Sequence, residues 1–130
     1  MILYFAADLL WASKIKGTAE AIGLSARPVR NLEMLEARLA DSPVRALIVD
    51  LDVPETALAL VARLKGEKAG ASERGVRVVA FGPHVAVDDL HAAKAAGADA
   101  VMARGAFAGR MPEILKRLEG EEQVQDDLHE

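Results

Sequence analysis

The stretch Ala46-Leu47-Ile48-Val49-Asp50-Leu51-Asp52-Val53-Pro54 constrains the chain more than any other. An apolar run of strand length, rich in branched side chains, ends on a carboxylate, and a proline stands four residues beyond that carboxylate. Such a run, closed by Asp and Pro, reads as a strand buried on both faces. Strands of that kind belong to parallel sheets covered by helices, and the rim at their carboxyl ends is where α/β proteins place ligands. The sequence therefore puts Asp50 where chemistry is expected.

The remaining chain alternates between strand and helix patterns. Ile2 to Ala7 predicts a first buried strand, and Leu9 to Ile22 a helix capped by Asp8 and stopped by Gly23. Ala26 to Arg30 is a weak strand whose Pro28 suits a sheet edge. Asn31 can cap a helix over Leu32 to Ala40, and Val44 to Val49 forms the third strand. A helix over Glu55 to Lys68, a polar loop over Ala69 to Gly75 and a strand over Val76 to Phe81 follow. Next come an alanine-rich helix over Val87 to Ala96, a strand over Asp99 to Ala103 and a last helix from near Ala106 through Leu118. Strand then helix, five times, implies right-handed crossovers. The expected fold class is α/β, a doubly wound five-stranded parallel sheet of order 2-1-3-4-5.

At 130 residues the chain fits one domain, expected over residues 1–119, with the acidic segment 120–130 as a frayed, solvated tail. A net charge of −4, with aromatics at only 4%, disfavours binding to nucleic acid, which needs clustered cations and stacking platforms. No cysteine is present, which removes disulfides and thiolate metal sites. No apolar run approaches the ~18 residues that cross a bilayer, and no signal-peptide pattern opens the chain, so a cytoplasmic protein without membrane contact is expected. There is no Gly-x-Gly-x-x-Gly, no Walker lysine motif and no Gly-x-Ser-x-Gly, so independent catalysis is not expected.

This pattern resembles the receiver domain of bacterial response regulators over about residues 2 to 118. Asp50-Leu51-Asp52-Val53-Pro54 is similar to the receiver's phosphoacceptor strand end, and Gly97-Ala98-Asp99-Ala100-Val101-Met102-Ala103-Arg104 to its run into strand five. An acidic residue after strand one, Asp8, is a weaker match. The resemblance implies that Asp50 would accept a phosphoryl group from a histidine kinase. It further implies two acids after strand one holding Mg²⁺ together with Asp50, a Ser or Thr after strand four, and a lysine after strand five. That chemistry needs metal and ammonium to neutralise charge on the transferring group.

The supporting set is incomplete. With Asp8 matching the second acid, Ala7 stands at the first, Gly82 stands at the hydroxyl position, and Arg104 replaces the lysine, followed by Gly105 instead of proline. One lost acid weakens a hard-cation site that has few protein ligands. A planar guanidinium does not simply replace a compact ammonium. Arg104 is expected to pair with Asp50 or Asp8 across the rim, or to bind an anion. His84, on the loop Phe81-Gly82-Pro83-His84, is either a solvated loop side chain or a third metal or anion ligand beside Asp8 and Asp50. Asp52 is expected to be a loop acid, with capping of the following helix as one role. Trp11 is either packed on its helix or part of a contact surface.

Three functions are weighed. The leading one is a stand-alone receiver-like signalling module that binds a protein partner without standard aspartyl phosphorylation. The resemblance implies that it would dock through the face made by helix Val87 to Ala96, strand five and the last helix. The second is an active single-domain response regulator phosphorylated on Asp50 with Mg²⁺. The third is a small-ligand-binding domain of the flavodoxin-like type. It is disfavoured because Ala6-Ala7-Asp8 offers no hydroxyl and an acid that repels phosphate.

Overall fold

Side chains alternate across a strand, so a strand buried along its whole length needs cover on both faces. That is the arrangement found in this computed structural model, which describes residues 1–129. Strands β1 (Ile2–Phe5), β3 (Ala46–Asp50) and β5 (Ala100–Ala103) are buried at every residue, and β4 (Arg77–Gly82) at all but its first. The short β2 (Ala26–Pro28) is only half-buried. All neighbours are parallel, in the order β2-β1-β3-β4-β5.

Two apolar layers result. Leu3, Phe5, Leu47, Val49, Val78 and Ala80 face one side and pack with Leu35, Leu60, Val61, Leu64 and Leu90. Those partners come from α2 (Leu32–Asp41), α3 (Pro54–Lys65) and α5 (Val87–Ala95). Ile2, Tyr4, Ile48, Val79, Phe81 and Met102 face the other side, against Ile15, Phe107, Ile114, Leu115 and Leu118. These belong to α1 (Leu9–Ala21), α6 (Arg104–Gly109) and α7 (Met111–Glu119).

Local chemistry sets the boundaries. Asp8 and Asn31 cap their helices, each accepting a backbone N–H at 2.8 Å, from Leu10 and Met34 respectively. Gly97 closes α5 with φ +113°, and a Cβ there would stand 2.5 Å from the Cβ of Lys65. Both facts require glycine at 97. Asp99, two residues on, accepts the Val78 N–H at 2.8 Å and pairs with Lys65 at 3.0 Å. The Gly-Ala-Asp run therefore organises the amino-terminal end of β5, away from Asp50.

Four details differ from the sequence reading. The loop expected over Ala69 to Gly75 contains a single helical turn, α4 (Ala71–Arg74), where the Glu73 carboxylate accepts the Gly70 N–H. The last helix is two helices meeting at Arg110, because Pro112 can occupy the first turn of a helix but not its interior. Asp52 does not cap α3; the N-cap is Val53, without a side-chain bond, and Pro54 opens the helix. Residues 122–128, expected to be frayed and solvated, are instead seated along β5: Asp127 bridges Met102 in parallel register and Val124 is buried. No helix among the described residues is long and apolar enough to cross a membrane.

Ile48 has no accessible surface, in the middle of the central strand. Ile48→Ala should cost about 2–5 kcal/mol through lost burial plus a residual cavity. Urea unfolding followed by the fluorescence of the single Trp11 measures it, and a loss below about 1 kcal/mol would contradict this packing.

Candidate functional site

Asp50 is the last residue of β3 and the buried charged residue of the core, with 0% exposure. The pleat that turns Ile48 toward α1 and α7 turns Asp50 the same way. Its Oδ1 accepts two hydrogen bonds, from the backbone N–H of Asp52 at 3.0 Å and from Arg104 Nη2 at 3.2 Å. Its Oδ2 is buried and has no hydrogen-bond partner among the described residues.

Arg104 reaches Asp50 because the register brings the two strand ends onto one rim. Asp50 pairs with Phe81 across β3 and β4, and Gly82 with Ala103 across β4 and β5, so Arg104 follows the last bridged residue. Its guanidinium carbon lies 5.6 Å from the centre of the Trp11 ring, within cation–π range. Trp11 in turn leans on Phe81 at 5.2 Å, and Phe81 stacks on Phe107 at 4.2 Å. The arginine is thus held between an aromatic platform and a carboxylate. Its second acidic neighbour, Asp52, is 4.0 Å away and mostly exposed.

Of the remaining sequence candidates, Asp8 is engaged by its own helix, whereas His84 borders Arg104. Asp8 is exposed, and its carboxylate caps α1. His84 is exposed and lines a recess of about 320 Å³ with Pro83, Ala103, Arg104 and Gly105. Gly82 is buried, and a Cβ there would stand 3.3 Å from the Cβ of Leu51, so a hydroxyl-bearing side chain would press on Leu51. No three His, Asp or Glu side chains among the described residues gather as a metal site. The donor set around Asp50 does not fit Mg²⁺. A hard divalent cation needs several oxygens, and the group nearest the carboxylate here is a guanidinium. A separate apolar recess of about 460 Å³ lies between the ends of β1 and β2, lined by Tyr4, Phe5, Ala7, Leu9, Pro28 and Arg30.

Trp11 is the residue whose part in the site the sequence left unassigned. The available signal was its place one turn after the Asp8 cap, on a helix covering the Asp50 face. A single sequence does not say how α1 is rotated.

Burial raises the Asp50 carboxyl above its ordinary 3.8, against the smaller opposing pulls of the Asp52 N–H and Arg104. The folded state therefore takes up this proton more readily than the unfolded chain. Stability from Asp50 is complete below the ordinary value and is lost as pH rises through the folded value. Relative to Asp50→Asn, the parent protein should gain stability between about pH 7 and about pH 4 in urea titrations. A relative loss on acidification would mean that the arginine outweighs burial.

No family model and no curated protein matches the sequence. Solved structures do. The chain is similar to the signal receiver domain of a signal transduction histidine kinase from Syntrophus aciditrophicus, at 23% identity and TM-score 0.75, covering 92% of this chain and 89% of that one. It is similar to a response regulator from Thermotoga maritima, at 17% identity and TM-score 0.72, covering 92% and 96%. A chemotaxis response regulator of Vibrio cholerae matches at 13% identity and TM-score 0.72, covering 90% and 96%. At such identities the likeness is one of architecture: the chain has the receiver-domain fold.

Proposed function

We propose that this protein is a receiver-fold signalling module that acts by binding another protein and does so without aspartyl phosphorylation. One observation carries the reading: the Asp50 carboxylate has no accessible surface, and the Arg104 guanidinium is already seated on it at 3.2 Å. Phosphoryl transfer needs a reachable nucleophile, with positive charge arranged around the incoming group and not spent on the resting carboxylate. The neighbouring positions support the same view. Ala7 supplies no metal ligand, and Gly82 supplies no hydroxyl to follow a phosphoryl oxygen. The pair fixes one arrangement of the rim, so the module is a constitutive binder instead of a switch.

The distribution of exposed apolar side chains supports association. Leu9 (79% exposed), Leu10 (60%), Val85 (73%), Val53 and Val87 all lie where the chain leaves β1, β3 and β4, which are adjacent in the sheet. Exposed apolar residues grouped around a polar centre mark protein contact surfaces. The face made by α5, β5 and α7, which the receiver resemblance implies for docking, offers a second surface, part of which residues 122–128 cover.

One observation favours the alternative, an active receiver phosphorylated on Asp50 by a histidine kinase: the Oδ2 oxygen is uncommitted. A phosphoryl group there would have to open the buried rim and draw Arg104 from one oxygen to the other. Acetyl phosphate, or beryllofluoride with Mg²⁺, separates the two readings. The amide spectrum is expected to stay nearly unchanged. Stoichiometric perturbation that requires Asp50 and spreads into α5 would establish phosphorylation and reject the constitutive reading.

A further inference from the structure

β5 is the outermost strand of the sheet, and an outer strand normally leaves a row of N–H and C=O groups open to pairing. Here those groups are taken. The Val101 N–H donates to Asp126 Oδ1 at 2.9 Å, and the Ala103 N–H donates to the Asp127 carbonyl at 2.8 Å. The Asp127 N–H donates back to the Val101 carbonyl at 3.1 Å. A carboxylate and a peptide unit thus complete the ladder where a sixth strand would lie.

The edge is flanked by cations from α5 and α7, of which Arg110 and Arg117 also pair with Glu113, and is apolar at one end. Lys94, from α5, pairs with Asp126 at 3.0 Å. Arg110, at the junction of α6 and α7, pairs with Asp127 at 3.3 Å. Arg117, on α7, donates to the Gln123 carbonyl at 3.3 Å, while its own carbonyl accepts the Glu122 N–H at 2.8 Å. Val124 is the segment's apolar anchor, 4% exposed within the layer formed by Ile114, Leu115 and Leu118.

We propose that the β5 edge, with Lys94, Arg110 and Arg117, is a binding site for an extended acidic segment, and that residues 122–128 are its occupant in cis. Recognition combines strand addition, which reads main chain, with an apolar residue followed two and three positions later by acids. The occupant is exchangeable because only one of its side chains, Val124, is buried in the apolar layer, its Lys94–Asp126 pair is exposed and holds weakly, and its main-chain bonds to β5 are ones that any extended segment can make. A partner segment of the same chemistry would displace it and gain the adjoining α5 and α7 surface. The inference deepens the proposed function by assigning an occupant to its α5–β5–α7 surface; it rests on that reading for the partner in trans, while the exchange measured below is independent of whether Asp50 accepts phosphate.

The test uses the full chain carrying Val124→Ser and Asp126→Ala, with amide exchange read residue by residue. The Val101 and Ala103 amides should exchange at least about tenfold faster than in the parent, while those of Leu47 and Val79 stay protected. A synthetic peptide of residues 121–130 added in trans should restore slow exchange, with an affinity that falls as salt rises. The same peptide with Asn at 126 and 127 should not. Lys94→Glu, a surface change, should loosen the segment in the same direction and serves if the double variant unfolds. Unchanged exchange at Val101 and Ala103 in the loosened chain, or a peptide that restores nothing, would overturn the proposal.

Discussion

A carboxylate without water around it must be met by something else, and the geometry of the rim follows from how Asp50 is met. Moving an ionised side chain out of water costs several kcal/mol unless hydrogen bonds and opposite charge offset most of it. The Asp52 N–H and the Arg104 guanidinium share Oδ1, which fixes the turn after β3 and the start of α6 relative to each other. Arg104 in turn needs a surface that excludes water from its flat side, and Trp11 provides one from α1. Three elements that are distant in sequence are therefore tied at one buried charge. The raised Asp50 carboxyl shows that the tie does not fully offset burial. In this chain the Arg104 guanidinium rests against that carboxylate at 3.2 Å.

Much of this was legible in the sequence because it depends on patterns with a period. The buried runs at Ile2, Ala46 and Arg77 could only be central strands, Pro28 could only sit at an edge, and the alternation dictated parallel neighbours. That Arg104 meets an acid across the rim was legible too, since both close strand ends there, but the sequence left Asp50 and Asp8 as alternative partners, and the structure pairs it with Asp50. What escaped depends on three-dimensional placement. The Pro112 break was written in the chain, but the helical composition on either side masked it. The seating of Asp126 and Asp127 was hidden because acidic residues near a chain's last positions read as solvated, and nothing local shows that Lys94 and Arg110 await them. The role of Trp11 required the rotation of α1, which propensity does not supply.

The two sheet edges show the same requirement answered in two ways. At β2 the missing N–H of Pro28 and the brevity of the strand blunt the edge. At β5 a charged segment covers it. One edge is thus blunted by its own backbone, and the other is covered by a separate segment of the chain.

The central claim is that Asp50 and Arg104 are energetically coupled and hold the rim in a single state. A double-mutant cycle with Asp50→Asn and Arg104→Met, read by urea unfolding, tests it most directly. Each single change removes one member of the pair, and a methionine side chain can still pack on Trp11. The account predicts a coupling energy of about 1 kcal/mol or more, with Arg104→Met alone destabilising because it leaves the buried Asp50 carboxylate without a cation. A coupling within about 0.3 kcal/mol of zero would contradict it and leave Asp50 as a buried acid that Arg104 merely lies beside.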